Sequence, residues 1–346
     1  MSGDYLWDGS GQPDSEIQRL EDALRPLRGT RPAPQLGPRR SRSAFSVGGW
    51  RVLVTAAAVL AGLAAAVTRG RPPEPAGWSL AWLEGTSWEK ARVARETRFA
   101  VGEWIETRED RARLSVGEIG EVRLEPATRV GLLDAGERSH RLSLARGVLH
   151  AMIWAPPGQF LVDTPSAVAV DLGCSYTLEV DATGSGLVRV ETGWVGFESR
   201  GLQSLVPAGA ACPTRPGVGP GTPYFETAPE SLRRALAVID FGSDPTGRAA
   251  ALDTALAAAR PRDALSLWHL LARLDGEERG RVHDCLAALV PPPPQVTREG
   301  VLRGDRAMRD AWWDELGLES ADFWRDWTAR WSDPNSRGSE AGRHAR

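Results

Sequence analysis

The three cysteines are the first candidates for chemistry in this sequence. Cys174, Cys212 and Cys285 are too few and too widely spaced for a zinc site, which uses CxxC or closely spaced His and Cys pairs. In an oxidising periplasm Cys174 and Cys212 could form a disulfide, which would stabilise the fold by roughly 4 kcal/mol through loop closure. Alternatively, both are small buried apolar residues. The sequence therefore predicts no metal centre and leaves the disulfide open.

Histidines and glycines are the other residues whose spacing could indicate a catalytic or cofactor site. His140 and His150 flank a predicted hairpin, but the sequence places no third ligand or paired carboxylate beside them. Gly217, Gly219 and Gly221 alternate with Val and Pro, without the strand-to-helix context that a phosphate-binding loop needs. The chain also has no nucleophile elbow, HExxH or P-loop motif. We expect no enzymatic activity and no cofactor.

Composition indicates a folded protein without a polyanionic partner. The chain has 346 residues, of which 42% are apolar and 25% charged, so that it can bury a sizeable core in two or three domains. The net charge is -3, and the basic residues are nearly all arginine. Because no basic run is interleaved with aromatic residues outside the flank of one apolar stretch, we expect no nucleic-acid partner.

That apolar stretch, Val52 to Thr68, predicts a transmembrane helix over residues 50–68. Five arginines precede it without an intervening acid: Arg31, Arg39, Arg40, Arg42 and Arg51. The positive-inside rule then places the N-terminus in the cytoplasm and everything after Arg69 outside. The alternatives are a cleaved signal peptide and a buried Ala-rich helix.

Residues 1–30 are predicted to form a cytoplasmic segment with one amphipathic helix, followed by a Pro/Arg-rich linker over residues 31–49. The apolar residues of this segment are Tyr5, Leu6, Trp7, Ile17, Leu20, Leu24 and Leu27. A helix this short is marginal in water by itself, so we expect these residues to bind a protein partner. The alternative is an unstructured tail.

The hydrophobic period changes along the rest of the chain. Residues 78–213 alternate with a period of two and contain a Gly, Pro or Asp turn signal every eight to twelve residues, which predicts many short antiparallel strands. Residues 229–290 have helical stripes and predict a bundle or solenoid-like domain. Residues 298–331 form a Trp-rich helical segment, which either packs on the protein's own body or presents an aromatic patch. A disordered tail is predicted over residues 332–346.

The order of the β elements resembles the FecR-type domain, the extracytoplasmic part of ferric-citrate-type regulators. The resembling stretches are Val101–Thr107, Val122–Val130, Leu142–Leu149, Phe160–Pro165, Val190–Val195 and Val206–Gly209. The resemblance implies a single-pass protein of the bacterial inner membrane, with the bulk of the chain in the periplasm. Its outer domain would receive a signal, and its cytoplasmic end would act on an extracytoplasmic-function sigma factor. The predicted fold class is therefore a multidomain membrane-anchored protein, with one transmembrane helix, an all-β FecR-type domain and an α-helical domain.

Two function classes follow from these observations. In the first, the chain is a signalling protein. Its outer domain senses a periplasmic protein or envelope component, and its N-terminal apolar residues bind a sigma factor or another regulator. In the second, it is an envelope scaffold or binding protein without a transcriptional role. The two classes differ in whether charging Leu20 and Leu24 abolishes partner binding.

Overall fold

The computed structural model describes residues 76–85 and 87–318. In that part of the chain the strands are β1 Gly77–Glu84, β2 Arg92–Ala100, β3 Trp104–Glu106, β4 Arg111–Val116, β5 Gly120–Leu124, β6 Arg129–Ala135, β7 His140–Ile153, β8 Phe160–Asp163, β9 Val168–Asp171, β10 Ser175–Val180, β11 Gly186–Thr192, β12 Trp194–Ser199, β13 Leu202–Pro207, β14 Ala210–Arg215, β15 Gly219–Pro220 and β16 Tyr224–Phe225.

These strands form two sheets that share β7. The first sheet has the order β2-β1-β4-β5-β7-β10-β11-β14, with β15 and β16 both paired to β14. The second has the order β3-β6-β7-β8-β9-β12-β13, in which only β7 and β8 are parallel among the described pairs. The inner faces of both sheets contribute to one apolar core. The all-β architecture predicted from the period of two is thereby confirmed for this region.

Strand β7 belongs to both sheets because its inward face changes at Gly147. Leu142 and Leu144 are buried in the first half of the strand, whereas Leu149 and Ala151 are buried in the second half, so the phase of the alternation shifts by one residue. Gly147 has φ +99°, and a Cβ there would lie 2.4 Å from the Cα of Thr128. Only glycine fits this close approach, and the bend passes the chain from the second sheet to the first.

The helices follow the strands in sequence. Their bounds are α1 Glu230–Phe241, α2 Pro245–Ala258, α3 Ala264–Arg273, α4 Gly276–Leu289, α5 Arg298–Leu302 and α6 Arg306–Trp313, with a 3₁₀ turn at Pro261–Asp263. They enclose a second apolar cluster, which includes Leu267 and Trp312. Leu265 and Trp313 instead join the core of the sheets. The helices and sheets therefore share buried side chains within one compact unit.

A membrane-anchored fold class with one transmembrane helix was the wrong prediction for the described residues. None of their helices is long and apolar enough to cross a membrane. The longest, α2 and α4, have 14 residues each, which corresponds to about 21 Å against a hydrocarbon core of about 30 Å. The described residues form an all-β domain followed by a few helices. The stretch predicted to span, residues 50–68, lies outside the described residues.

Two buried polar side chains on α3 attach the helices to the sheets. Arg273 donates hydrogen bonds to the carbonyl oxygens of Pro220 and Gly221 and to the Ser204 hydroxyl, at 2.6–2.9 Å. His269 Nε2 accepts from the N–H of Leu205 at 3.1 Å, so a side chain from α3 satisfies a donor on the edge strand β13. Burial lowers the pKa of His269 to about 3, which keeps the imidazole neutral and able to accept this bond.

Candidate functional site

The outward face of the first sheet has a continuous row of polar side chains across five neighbouring strands. The strand registers place them in the order Arg113, Arg123, His150, Thr177 and Arg189, on β4, β5, β7, β10 and β11. The residues directly before and after each of them in its strand are buried in the core, so the five side chains point away from the core. We call these five residues the polar row.

Glu125, directly after β5, is the centre of the hydrogen bonds beside this row. Its carboxylate accepts from Trp88 Nε1 at 2.5 Å and from Arg111 Nε at 2.9 Å. The third neighbour is His150, whose Nε2 lies 3.3 Å from Glu125 Oε1. Partial burial raises the pKa of Glu125, but the bonds from Trp88 and Arg111 and the charges of Arg111 and His150 outweigh it, so that the pKa is lowered. Glu125 is therefore held as an anion.

His150 lies between two polar groups. Its Nδ1 is 2.8 Å from the Thr177 hydroxyl, within hydrogen-bond distance, and its Nε2 faces Glu125 Oε1 at 3.3 Å. Hydroxyl, imidazole and carboxylate in this order resemble a nucleophile, its base and an orienting group. However, β10 is hydrogen-bonded to a strand on each side, so the backbone around Thr177 supplies no N–H pair for an oxyanion. The geometry favours binding over acyl transfer.

A groove of about 170 Å³ opens next to this cluster. It is lined by Trp88, Glu121, Arg123, His150, Ala151, Met152, Ser175 and Glu191, which we call the Trp88 groove. Arg123 is paired with Glu121 at 2.6 Å, and Ser175 donates to Glu191 at 3.0 Å. Carboxylates, a guanidinium, a hydroxyl and an indole ring thus line one small concave surface. Such a surface can form several directed hydrogen bonds to a small polar ligand.

A second cleft, of about 370 Å³, lies at the end of the second sheet. It is lined by Gly193, Trp194, Pro207, Ala208, Phe225, Arg262, Leu316, Gly317 and Leu318. Trp194 contacts Trp313 of α6 with ring centroids 5.8 Å apart. Arg262, with its guanidinium 4.6 Å from the ring centroid of Phe225, is the charged group of this otherwise apolar lining.

Cys174 and Cys212, the two cysteines that could pair, are both buried and free. Cys174 Sγ donates to Asp171 Oδ2 at 2.9 Å, and Cys212 Sγ donates to the carbonyl oxygen of Gly221 at 3.2 Å. Burial raises the pKa of Cys212 to about 12, and burial together with the charge of Asp171 raises that of Cys174 further. Both thiols are therefore buried and hydrogen-bonded in the structure, and their pairing stays a prediction.

The partner-binding residues predicted from the sequence lie outside the described residues, namely Tyr5, Leu6, Trp7, Ile17, Leu20, Leu24 and Leu27. His150 was recognised in the sequence, but its partners were missed. The period of two does identify Arg123 and Thr177 as outward residues. It does not pair them with His150, and no local signal brings Trp88 over the sheet. Across residues 76–85 and 87–318, no group of three or more His, Cys, Asp or Glu side chains could hold a metal ion.

Comparisons with known proteins find a distant structural likeness. No protein-family model and no curated protein matches the chain. Two crystal structures of a protein from Parabacteroides distasonis ATCC 8503, provisionally named an anti-sigma factor, align with 16% sequence identity and a TM-score of 0.32. Each alignment covers 38% of this chain and 63% of the neighbour, so this chain spans less than two thirds of the neighbour's length. At this TM-score the likeness carries no argument about fold or function.

Proposed function

We propose that this chain is a regulatory binding protein. Its β domain receives a signal by binding a small polar ligand in the Trp88 groove, and its N-terminal residues bind a protein partner. The observation that carries the proposal is the groove itself, in which an indole, a guanidinium and two carboxylates converge beside the Glu125 cluster.

The hydrogen bonds around the groove support binding over catalysis. His150 Nδ1 is hydrogen-bonded to Thr177 and its Nε2 faces Glu125 at 3.3 Å, so the imidazole is held in one orientation. Glu125 is fixed in turn by Trp88 and Arg111. These hydrogen bonds hold the side chains of the groove in place before a ligand binds, so little side-chain entropy is lost on binding.

The partner half of the proposal rests on the apolar stripe of the N-terminal residues. Ile17, Leu20, Leu24 and Leu27 recur at helical spacing in a segment too short to form a core of its own. The FecR-type resemblance suggests the finer form of the proposal, in which the partner is an extracytoplasmic-function sigma factor.

Capture of the partner by the full-length tagged chain tests this function. We compare the wild type with a Leu20→Asp, Leu24→Asp variant and with a Gln18→Asp, Arg25→Gln control. Each pair of substitutions lowers the net charge by two, but only the first pair lies on the apolar stripe. We expect mass spectrometry to identify a sigma factor with the wild type and the control and not with the stripe variant. Recovery of no sigma factor by the wild type would refute the finer proposal, and equal recovery by all three chains would refute the role of the stripe.

A further inference from the structure

The second cleft opens on a cluster of packed aromatic rings. Trp194 of its lining contacts Trp313 of α6, whose ring centroid lies 4.8 Å from that of Trp268 at an interplanar angle of 73°. These rings have the tilted and edge-to-face geometries that aromatic pairs favour. Phe225 forms another part of the lining, with the guanidinium of Arg262 over its ring. The cleft therefore has aromatic walls against which further aromatic side chains can pack.

The chain leaves the described region from the wall of this cleft. Leu316, Gly317 and Leu318 are the last described residues, and all three line it. Both leucines also pack against the core of the sheets, which fixes the position of the chain there. Gly317 has φ +68°, a left-handed conformation that glycine adopts without strain and that turns the chain after α6. The sequence that follows Leu318 therefore starts at the cleft.

This following sequence has the composition and spacing to fill an apolar cleft. Trp324, Trp327 and Trp331 recur at positions i, i+3 and i+7, which places them on one face of a predicted helix. A helix rises about 1.5 Å per residue, so all three lie within about 20 Å of Leu318 along the chain. We call residues 323–331 the C-terminal Trp segment.

The charges of the cleft and of the sequence that follows it are complementary. Among the described residues, the lining carries one charged side chain, Arg262, and no acid. Glu319 follows Leu318 directly, and Asp322 comes three residues later. The chain itself therefore brings acids to the side of the cleft that its single cation occupies.

We propose that the second cleft is the docking site of this chain's own C-terminal Trp segment, whose tryptophan face packs against Trp194 and Phe225. Attachment at the cleft wall favours this occupant over a separate molecule, because binding within one chain proceeds at a high effective concentration. Docking adds the tryptophan face to the core of the protein. It therefore closes the cleft to external ligands and leaves no aromatic patch for a partner or a membrane surface.

Hydroxyl-radical footprinting of the purified full chain tests this docking, because the chain contains its own standard. Trp154 is 70% exposed and is therefore oxidised at the rate of an accessible indole. Trypsin cleavage after Arg325 and Arg330 places Trp327 and Trp331 on separate peptides, so mass spectrometry measures the oxidation rate of each. The two quantities compared are the ratios of these rates to the Trp154 rate.

A substitution in the lining provides the variant that blocks the cleft. Ala208 is an exposed residue of the lining, in the turn between β13 and β14, so Ala208→Glu occupies the cleft without entering the core. Ala250→Glu is the matched control, since Ala250 is exposed on α2 and lies outside the lining. Ala208→Lys fills the same space with the opposite charge, in case the first variant fails to fold.

We expect both ratios to be below about one fifth in the wild type and in Ala250→Glu, because docking removes the indole rings from solvent. In the Ala208 variants both ratios should increase about threefold or more. Ratios near one in the wild type overturn the proposal. Equal protection in the Ala208 variants, as expected if the segment enters a detergent micelle, overturns it as well. Protection that disappears on dilution would identify a second copy of the chain as the occupant and would also overturn it.

Discussion

Asp240 of α1 provides the sharpest stability prediction, because its replacement leaves several buried groups without partners. Its side chain is 3% exposed, and its carboxylate accepts from the N–H and the hydroxyl of Thr222 at 2.6 and 2.9 Å. The guanidinium of Arg273, 9% exposed, lies 3.8 Å from Asp240 Oδ1. Asp240→Ala removes both acceptors and the nearest countercharge at once.

The magnitude follows from these contacts. Breaking a buried ion pair by removing one partner costs about 3–5 kcal/mol, because the remaining charge is left uncompensated. At 3.8 Å the two charges form no direct hydrogen bond, so the loss also reflects the two orphaned donors of Thr222. A change of this size is a large fraction of the 5–15 kcal/mol by which domains are typically stable.

Urea unfolding followed by circular dichroism measures this change. The matched control is Glu230→Ala on the same helix, since Glu230 pairs with Arg234 on the exposed surface, where such pairs contribute about 0.3–0.5 kcal/mol. Arg273→Met removes the donors to Pro220, Gly221 and Ser204 and is itself destabilising, but it should cost less in Asp240→Ala than in the wild type, because there it also removes an uncompensated charge. A loss below about 1 kcal/mol for Asp240→Ala would refute the argument that this network attaches α1 and α3 to the sheets.

Three further changes test other parts of the structure. Trp88→Phe keeps an aromatic ring but removes the N–H that donates to Glu125, so the pKa of Glu125 should increase in an NMR titration; an unchanged pKa would contradict the assigned hydrogen bond. Gly147→Ala places a Cβ 2.4 Å from Thr128 at φ +99° and should lower the free energy of unfolding by more than about 1 kcal/mol, whereas a neutral effect would show that β7 bends elsewhere. The pKa of His269 is lowered to about 3 in the folded chain, against an ordinary value of 6.5, so unfolding takes up a proton between these values and the free energy of unfolding falls as the pH decreases. By linkage, His269→Asn should remove about 2–3 kcal/mol of the stability that the wild type loses between pH 6.5 and pH 4.5. An acid dependence equal to that of the wild type would exclude the buried neutral imidazole.

The amount of fold that the sequence predicts depends on how local each signal is. Alternation such as Ala112, Leu114 and Val116 in β4 predicts both the strand and its buried face, since neighbouring side chains in a strand point to opposite faces. The helical stripe of α3 does the same at a period of 3.6. Hydropathy over residues 50–68 is equally local, but it led to a fold class that the described helices do not support.

The sites could not be predicted in this way, because their residues come from distant parts of the chain. Trp88 and Glu125 are 37 positions apart and His150 and Thr177 are 27 apart, yet each pair is joined by a hydrogen bond. Which outward residues come into contact depends on which strands become neighbours, and these strands are far apart in the sequence. The cysteines show the same limit, since spacing alone allows a disulfide and the structure instead joins Cys174 to Asp171.

For this protein, the sequence by itself determined which segments become strands or helices and which side chains of each face the core, because both are set by periodicity within a few neighbouring residues. Only the tertiary structure decided that β5, β7 and β10 lie side by side and that β9 crosses to β10 through a buried acid. These arrangements arise from packing two apolar sheet faces against each other, which depends on side chains from all parts of the core.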